Sequence, residues 1–214
     1  MIFLLVSVAV AGQADWDALD AGEWEAVTTS KSDVAGDIVV SLRYIGGTAC
    51  LRGEVAVDVS PDTLFAVVTD IPAAPKFSSE TLLESKNLGA EGTYEYYQHL
   101  DVPNWTMASD RYWVLRGEDK SEGAVRIFRW DRFDWKTAYP KLAAEIEAEH
   151  ASAVEPQINW GDWTFTPTET GSRIVYRLCN DPGGSLPQWL QKAAATKTMP
   201  NSIADIVREA KRRM

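Results

Sequence analysis

Positive charge is what this chain has least of: over 214 residues the formal net charge is −10. That argues against nucleic acid as a partner, because phosphate backbones are held by clustered lysine and arginine. Histidine and cysteine are scarce, with two of each. No GxSxG elbow, Walker A loop or set of metal ligands at a defined spacing occurs, so nucleophilic hydrolysis, nucleotide binding and a metal centre have no motif to rest on. Glu145, Glu149 and His150 fall close together, but in an Ala- and Glu-rich stretch they read as a solvated helix face. His99 lies on a strand near Asp101 without a nucleophile motif. No catalytic residue, metal or cofactor is expected.

Long apolar runs are missing too, so no segment is expected to cross a bilayer. The uncharged stretch MIFLLVSVAVAGQA is too short to do so and ends in small residues. Residues 1–14 therefore read as a signal peptide cut near Ala14, although the usual basic start is absent. The alternative is an uncleaved apolar N-terminal helix. The expectation is a secreted or periplasmic protein whose residues 15–214 form one domain.

What the chain does have is apolar and aromatic bulk: 45% hydrophobic residues and nine tryptophans, enough for a sizeable core. Runs rich in Val, Ile, Thr and aromatics, separated by turn clusters, predict strands at 24–29, 36–45, 49–59, 81–88, 93–102, 111–117, 125–135, 161–167 and 172–180. In the third, Leu51, Val55 and Val57 alternate with Arg52, Glu54 and Asp58, the pattern of an antiparallel sheet with one buried side. Ser60-Pro61-Asp62 starts a short helix. Residues 138–153 predict a solvated helical insertion. After Asp181-Pro182-Gly183-Gly184, Ser185 and Gln188 stand at capping-box spacing. Leu186, Trp189, Leu190, Ala193, Ile203, Ile206, Val207 and Ala210 then recur at helical spacing, with a kink or break expected near residues 196–200 because of Pro200.

Charge is uneven along the chain. Residues 192–214 carry a net +4, which leaves −14 for the remainder. A basic helix end complements the helix dipole; it also allows transient contact with an anionic membrane surface.

Three segments resemble a known family in the right order. Ser60-Pro61-Asp62-Thr63-Leu64-Phe65 with Asp70 and Pro75 resembles the first helix of the helix-grip superfamily. Residues 102–116, VPNWTMASDRYWVLR, are similar to the Pro-rich turn and charged strand start of START (steroidogenic acute regulatory protein-related lipid transfer) domains. The charged pair runs Asp110-Arg111, reversed from the commoner order, so no role is carried over for either. Residues 161–167, 174–176 and 181–190 resemble the family's closing strands and helix. The resemblance implies an α+β helix-grip fold, a curved antiparallel sheet of about nine strands wrapped around a long C-terminal helix, with a lipid-sized cavity between them. It also implies that the third and last strands are neighbours, which would bring Cys50 and Cys179 into a cross-strand disulfide.

Such a cavity needs apolar walls with a few placed polar groups. Strand alternation offers Tyr94 and Tyr96, Phe128 and Trp130, Trp163 and Phe165, and Tyr176 and Leu178; Trp189 on the final helix should point at them. Each taken alone could be plain core. Arg129 sits on the face opposite Phe128 and Trp130. It meets a lipid head group if that face is inside, and is an exposed strand arginine paired with a neighbour such as Asp131 if not. The expected function is non-enzymatic binding and transfer of a lipid or other hydrophobic small molecule by a monomer. The alternative is an enzyme on the same fold, like the polyketide cyclases and aromatases.

Overall fold

The computed structural model describes residues 10–103, 108–181, 183 and 188–214, with side chains for all of these except 188–195. The described elements are α1 (Gln13–Ala21), β1 (Glu25–Ser32), β2 (Gly36–Ile45), β3 (Thr48–Val57), α2 (Pro61–Val68), a 3-10 helix (Ile71–Lys76), β4 (Leu82–Asn87), β5 (Tyr94–Leu100), β6 (Arg111–Asp119), β7 (Arg126–Arg132), α3 (Trp135–Ala138), α4 (Pro140–Glu149), β8 (Ile158–Pro167), β9 (Ser172–Asp181) and α5 (Gln188–Arg213). The strands form one antiparallel sheet in the order β1-β2-β3-β9-β8-β7-β6-β5-β4. β1–β2, β2–β3 and β8–β9 are joined by short turns, whereas α3 and α4 lie between β7 and β8. The β3–β9 pairing joins the first three strands to the last six.

The period-2 alternation divides the sheet into two faces. The concave face meets α5 and α2. Met199, Ile203, Ile206, Val207 and Ala210 of α5 are buried there with Leu64 and Val67 of α2 and the inward residues of β2, β3 and β5–β9. Helix α2 begins as its sequence suggests, with the Ser60 hydroxyl accepting from Thr63 N–H and Pro61 in the first turn,. The Ser185–Gln188 capping box lies outside the described residues.

Three expectations need correcting. Helix α5 runs through Pro200 as one helix, so of the expected kink or break the break does not occur. The proline forfeits one backbone hydrogen bond, but the residues on either side, Met199 and Ile203, are fully buried and hold the rod in place,. Residues 138–153 are not a solvated insertion. Leu142 and Ile146, one helical turn apart, bury α4 on the convex face against Tyr97, Tyr112, Val114, Phe133 and Trp135,. Nor is the rest of the convex face simply wet. Helix α1 covers part of it, packing Trp16 and Leu19 on Ile45, Cys50, Trp160 and Cys179. Because α1 begins at Gln13 and the Ala11 N–H donates to Asp131 at 2.8 Å, a cut after Ala14 would fall inside its first turn.

Cys50 and Cys179 are direct register partners on β3 and β9, and the structure carries the disulfide between them. Both are fully buried under α1.

Candidate ligand-binding site

The concave face has two unlike ends. At one end the C-terminal half of α5 and α2 close on Phe165 and Ile174, and Leu64, Ile203 and Val207 are wholly excluded from solvent. Phe128 belongs to this end, edge-on to Tyr94 at 5.3 Å and to Phe65 at 6.5 Å. Phe65 and Tyr94 at this end are themselves only partly buried.

The opposite end lies where β6 and β8 begin and β7 and β9 finish. There Trp113, Tyr176 and Leu178 face inward and pack on the core cluster, yet remain only half-buried. Tyr176 is at the same time so enclosed by protein that burial pushes its phenol above its ordinary range. Tyr96 behaves alike: burial first, and then the neighbouring Tyr176, drive its phenol up. Both phenols are protonated at any physiological pH.

The walls are aromatic planes with placed polar groups. Tyr176 stacks on Trp163 at 3.8 Å between ring centroids, and Trp130 leans on it at 5.9 Å. Trp130 Nε1 donates to Asn159 Oδ1 at 3.2 Å. Trp113 Nε1 donates to Gln98 Oε1 at 2.9 Å, and Gln98 Nε2 reaches Ser85 Oγ at 3.0 Å. Asn180, the register partner of Asn159, has a buried Oδ1 with no hydrogen-bond partner. Gly161 leaves room for this arrangement: a Cβ there would lie 2.7 Å from the Trp130 ring.

Of the residues expected from sequence, Tyr94, Tyr96, Phe128, Trp130, Trp163, Phe165, Tyr176 and Leu178 share the concave face. Phe128, Phe165 and Tyr94 stand toward α2; of the others, Tyr96, Trp130 and Trp163 are buried and Tyr176 and Leu178 partly exposed. Arg129 does not join them. It projects from the convex face, where its guanidinium covers the Trp16 ring at 3.9 Å and lies 4.0 Å from Asp162. Odd-numbered positions of β7 point outward, so Arg129 belongs to the seat of α1. The Trp189 side chain falls outside the described residues. Sequence reasoning passed over Gln98, Trp113, Asn159 and Asn180. The alternation that picked out Tyr94 and Tyr96, and Tyr176 and Leu178, reaches Gln98 and Asn180 when carried one step further.

Two surface depressions lie elsewhere. One of about 800 Å3 on the convex face is lined by Trp24, Arg52, Glu54 and Arg173, and one of about 500 Å3 beside the end of α5 by Asp70, Lys76, Glu209 and Arg212. Arg52 and Arg173 pair with Glu54, and Arg212 with Glu209, so both are lined by charges that largely satisfy one another.

Comparison with characterised proteins by sequence finds no match. Among solved structures, the chain is similar to a STAR-related lipid transfer protein from Xanthomonas axonopodis, at 22% identity and TM-score 0.67 over 89% of this chain and 99% of that one. Human StAR-related lipid transfer protein 5 superposes with TM-score 0.72 at 14% identity, covering 94% of each chain. The Zhui aromatase/cyclase from Streptomyces sp. R1128 superposes with TM-score 0.51 at 14% identity, over 77% of this chain and 94% of that one. At such identities these likenesses speak to fold. A family model described as polyketide cyclase / dehydrase and lipid transport matches residues 57–207. The chain belongs to that family and has the helix-grip architecture of START domains.

Proposed function

We propose that this protein binds one hydrophobic small molecule between the sheet and the N-terminal half of α5, and carries it without altering it. The observation that supports this is the partial exposure of Trp113, Tyr176 and Leu178, inward-facing aromatic and apolar residues of the concave face. Ligand binding there is driven by apolar burial, about 25 cal/mol per Å2 removed from water. Export belongs to the same proposal, because a buried disulfide suits an oxidising compartment and the uncharged apolar run before Ala11 has the character of a leader,.

The family's description names cyclases beside lipid transport, which is the observation favouring a second, enzymatic reading. General-base chemistry needs a group that can take a proton near neutral pH. At the hollow end, the described concave positions of β5–β9 carry phenols, indoles and amides, and the two arginines Arg111 and Arg132. Phenols raised by burial can donate a hydrogen bond but cannot act as bases. This favours carriage. The test is transfer of a fluorescent lipid from donor to acceptor vesicles with purified protein. Transfer in proportion to protein supports carriage; conversion of a linear polyketide analogue without lipid transfer would select the enzyme.

A further inference from the structure

We propose that the bound molecule has an uncharged, hydroxyl-bearing head, placed against Asn180, Tyr176 and Tyr96. This rests on the reading of the concave hollow as a ligand site and adds the chemistry of the ligand. Asn180 Oδ1 is buried and has no hydrogen-bond partner. A bare buried amide oxygen destabilises a fold, and native structures keep one where something else fills the vacancy. Turning the amide over would present its NH2 instead, so the demand is for a neutral hydrogen-bonding group in either orientation. Asn159, opposite Asn180 across the β8–β9 ladder, already accepts from Trp130, so it does not relieve its neighbour.

The two phenols complete the set. Burial keeps both protonated, and neither hydroxyl has a hydrogen-bond partner among the described residues. A protonated phenol donates one hydrogen bond and accepts others. A hydroxyl-bearing ligand can therefore give a proton to Asn180 and, through the same or a second polar group, receive one from Tyr176 or Tyr96.

Charge makes the selection. Among the described residues, the cations Arg111 and Arg132 stand where β6 begins and β7 ends, and each is turned to the protein. Arg111 donates to the carbonyls of Ser109, Asp110 and Gly183. Arg132 donates to the Gln157 carbonyl and the Glu155 carboxylate. A carboxylate or phosphate head would enter a desolvated space whose cations are already coordinated, which is unfavourable. A hydroxyl faces no such penalty. Such a head could belong to an acyl-chain lipid or to a polycyclic phenol, and the shared chemistry is the neutral hydroxyl.

The test uses the full chain and five probes: pyrene, 1,2-dioleoylglycerol, 1,8-dihydroxyanthraquinone, oleate and dioleoylphosphatidylcholine. Tryptophan quenching follows pyrene and the anthraquinone, and native mass spectrometry follows the lipids. The expected result is that a hydroxylated neutral probe binds at least about tenfold more tightly than oleate or the phosphatidylcholine; whichever hydroxylated probe is tighter identifies the source. Asn180→Leu and Tyr176→Phe should each weaken that probe about fivefold, the loss of one net hydrogen bond. Tyr176→Phe keeps the ring on Trp163, so it reports the hydroxyl even if Asn180→Leu folds poorly. Equal binding of oleate or phosphatidylcholine, or an unchanged preference in Tyr176→Phe, overturns the inference while pyrene binding leaves the hollow standing. Failure of all five probes overturns the hollow and the inference together.

Discussion

Gly53 has no side chain, and α5 uses the space: a Cβ there would lie 2.5 Å from Ile203 Cδ1 and 3.1 Å from Met199 Sδ. The close approach of helix to β3 depends on that missing atom. Gly53→Val should push α5 off the sheet and destabilise the fold by about 1–3 kcal/mol, the usual cost of overpacking, read as a lower urea midpoint. A second residue sets a pH response. Asp131 accepts from the backbone N–H of Ala11 and Arg132, yet its burial outweighs those bonds and pushes its carboxyl from 3.8 up to about 6. In the unfolded chain the group ionises more readily, so its contribution is fully present below about pH 4 and is lost as pH rises through 6. Asp131→Asn should therefore be more stable than the parent at pH 7 by about 1 kcal/mol, allowing for solvent screening, with the gap closing at pH 4. Urea titrations at the two pH values decide it.

Elements on the convex face were the hardest to read. Strands and α5 announce themselves by long periodic runs, and their order on the sheet follows from the β3–β9 pairing. α1 and α4 are short, and each presents only two buried apolar residues, Trp16 and Leu19 or Leu142 and Ile146, among many polar ones. Arg129 was ambiguous for the same reason: alternation gives two faces but does not say that a helix will cover the outer one. Covering it has a consequence for the disulfide. Leu19 is fully buried, and Leu19→Ala should loosen α1 by about 2–4 kcal/mol. Cys50–Cys179 would then be reduced faster by dithiothreitol, since exchange needs the sulfurs uncovered. An unchanged reduction rate would mean that α1 does not guard the bond. The bond itself spans a sequence separation of 129 residues, and replacing both cysteines with alanine should cost about 2–5 kcal/mol in denaturant melts.

At the scale of the molecule, α2 and the C-terminal half of α5 close on one end of the concave face, and the proposed ligand space lies toward the other. The resemblance supplied the idea of a cavity; alternation supplied its aromatic walls. Which end is hollow could not be read from alternation, because it depends on how far side chains from separate elements reach across the concave face. Filling the open end should stabilise the whole fold, by about 2.7 kcal/mol at a free ligand concentration one hundred times Kd, and so raise Tm.

The most direct measurement is native mass spectrometry of the full chain purified without detergent, before and after organic extraction. The account predicts a single adduct, with the mass of one hydrophobic molecule, that extraction removes and incubation with lipid restores. A bare mass that takes up no hydrophobic molecule from vesicles would contradict it.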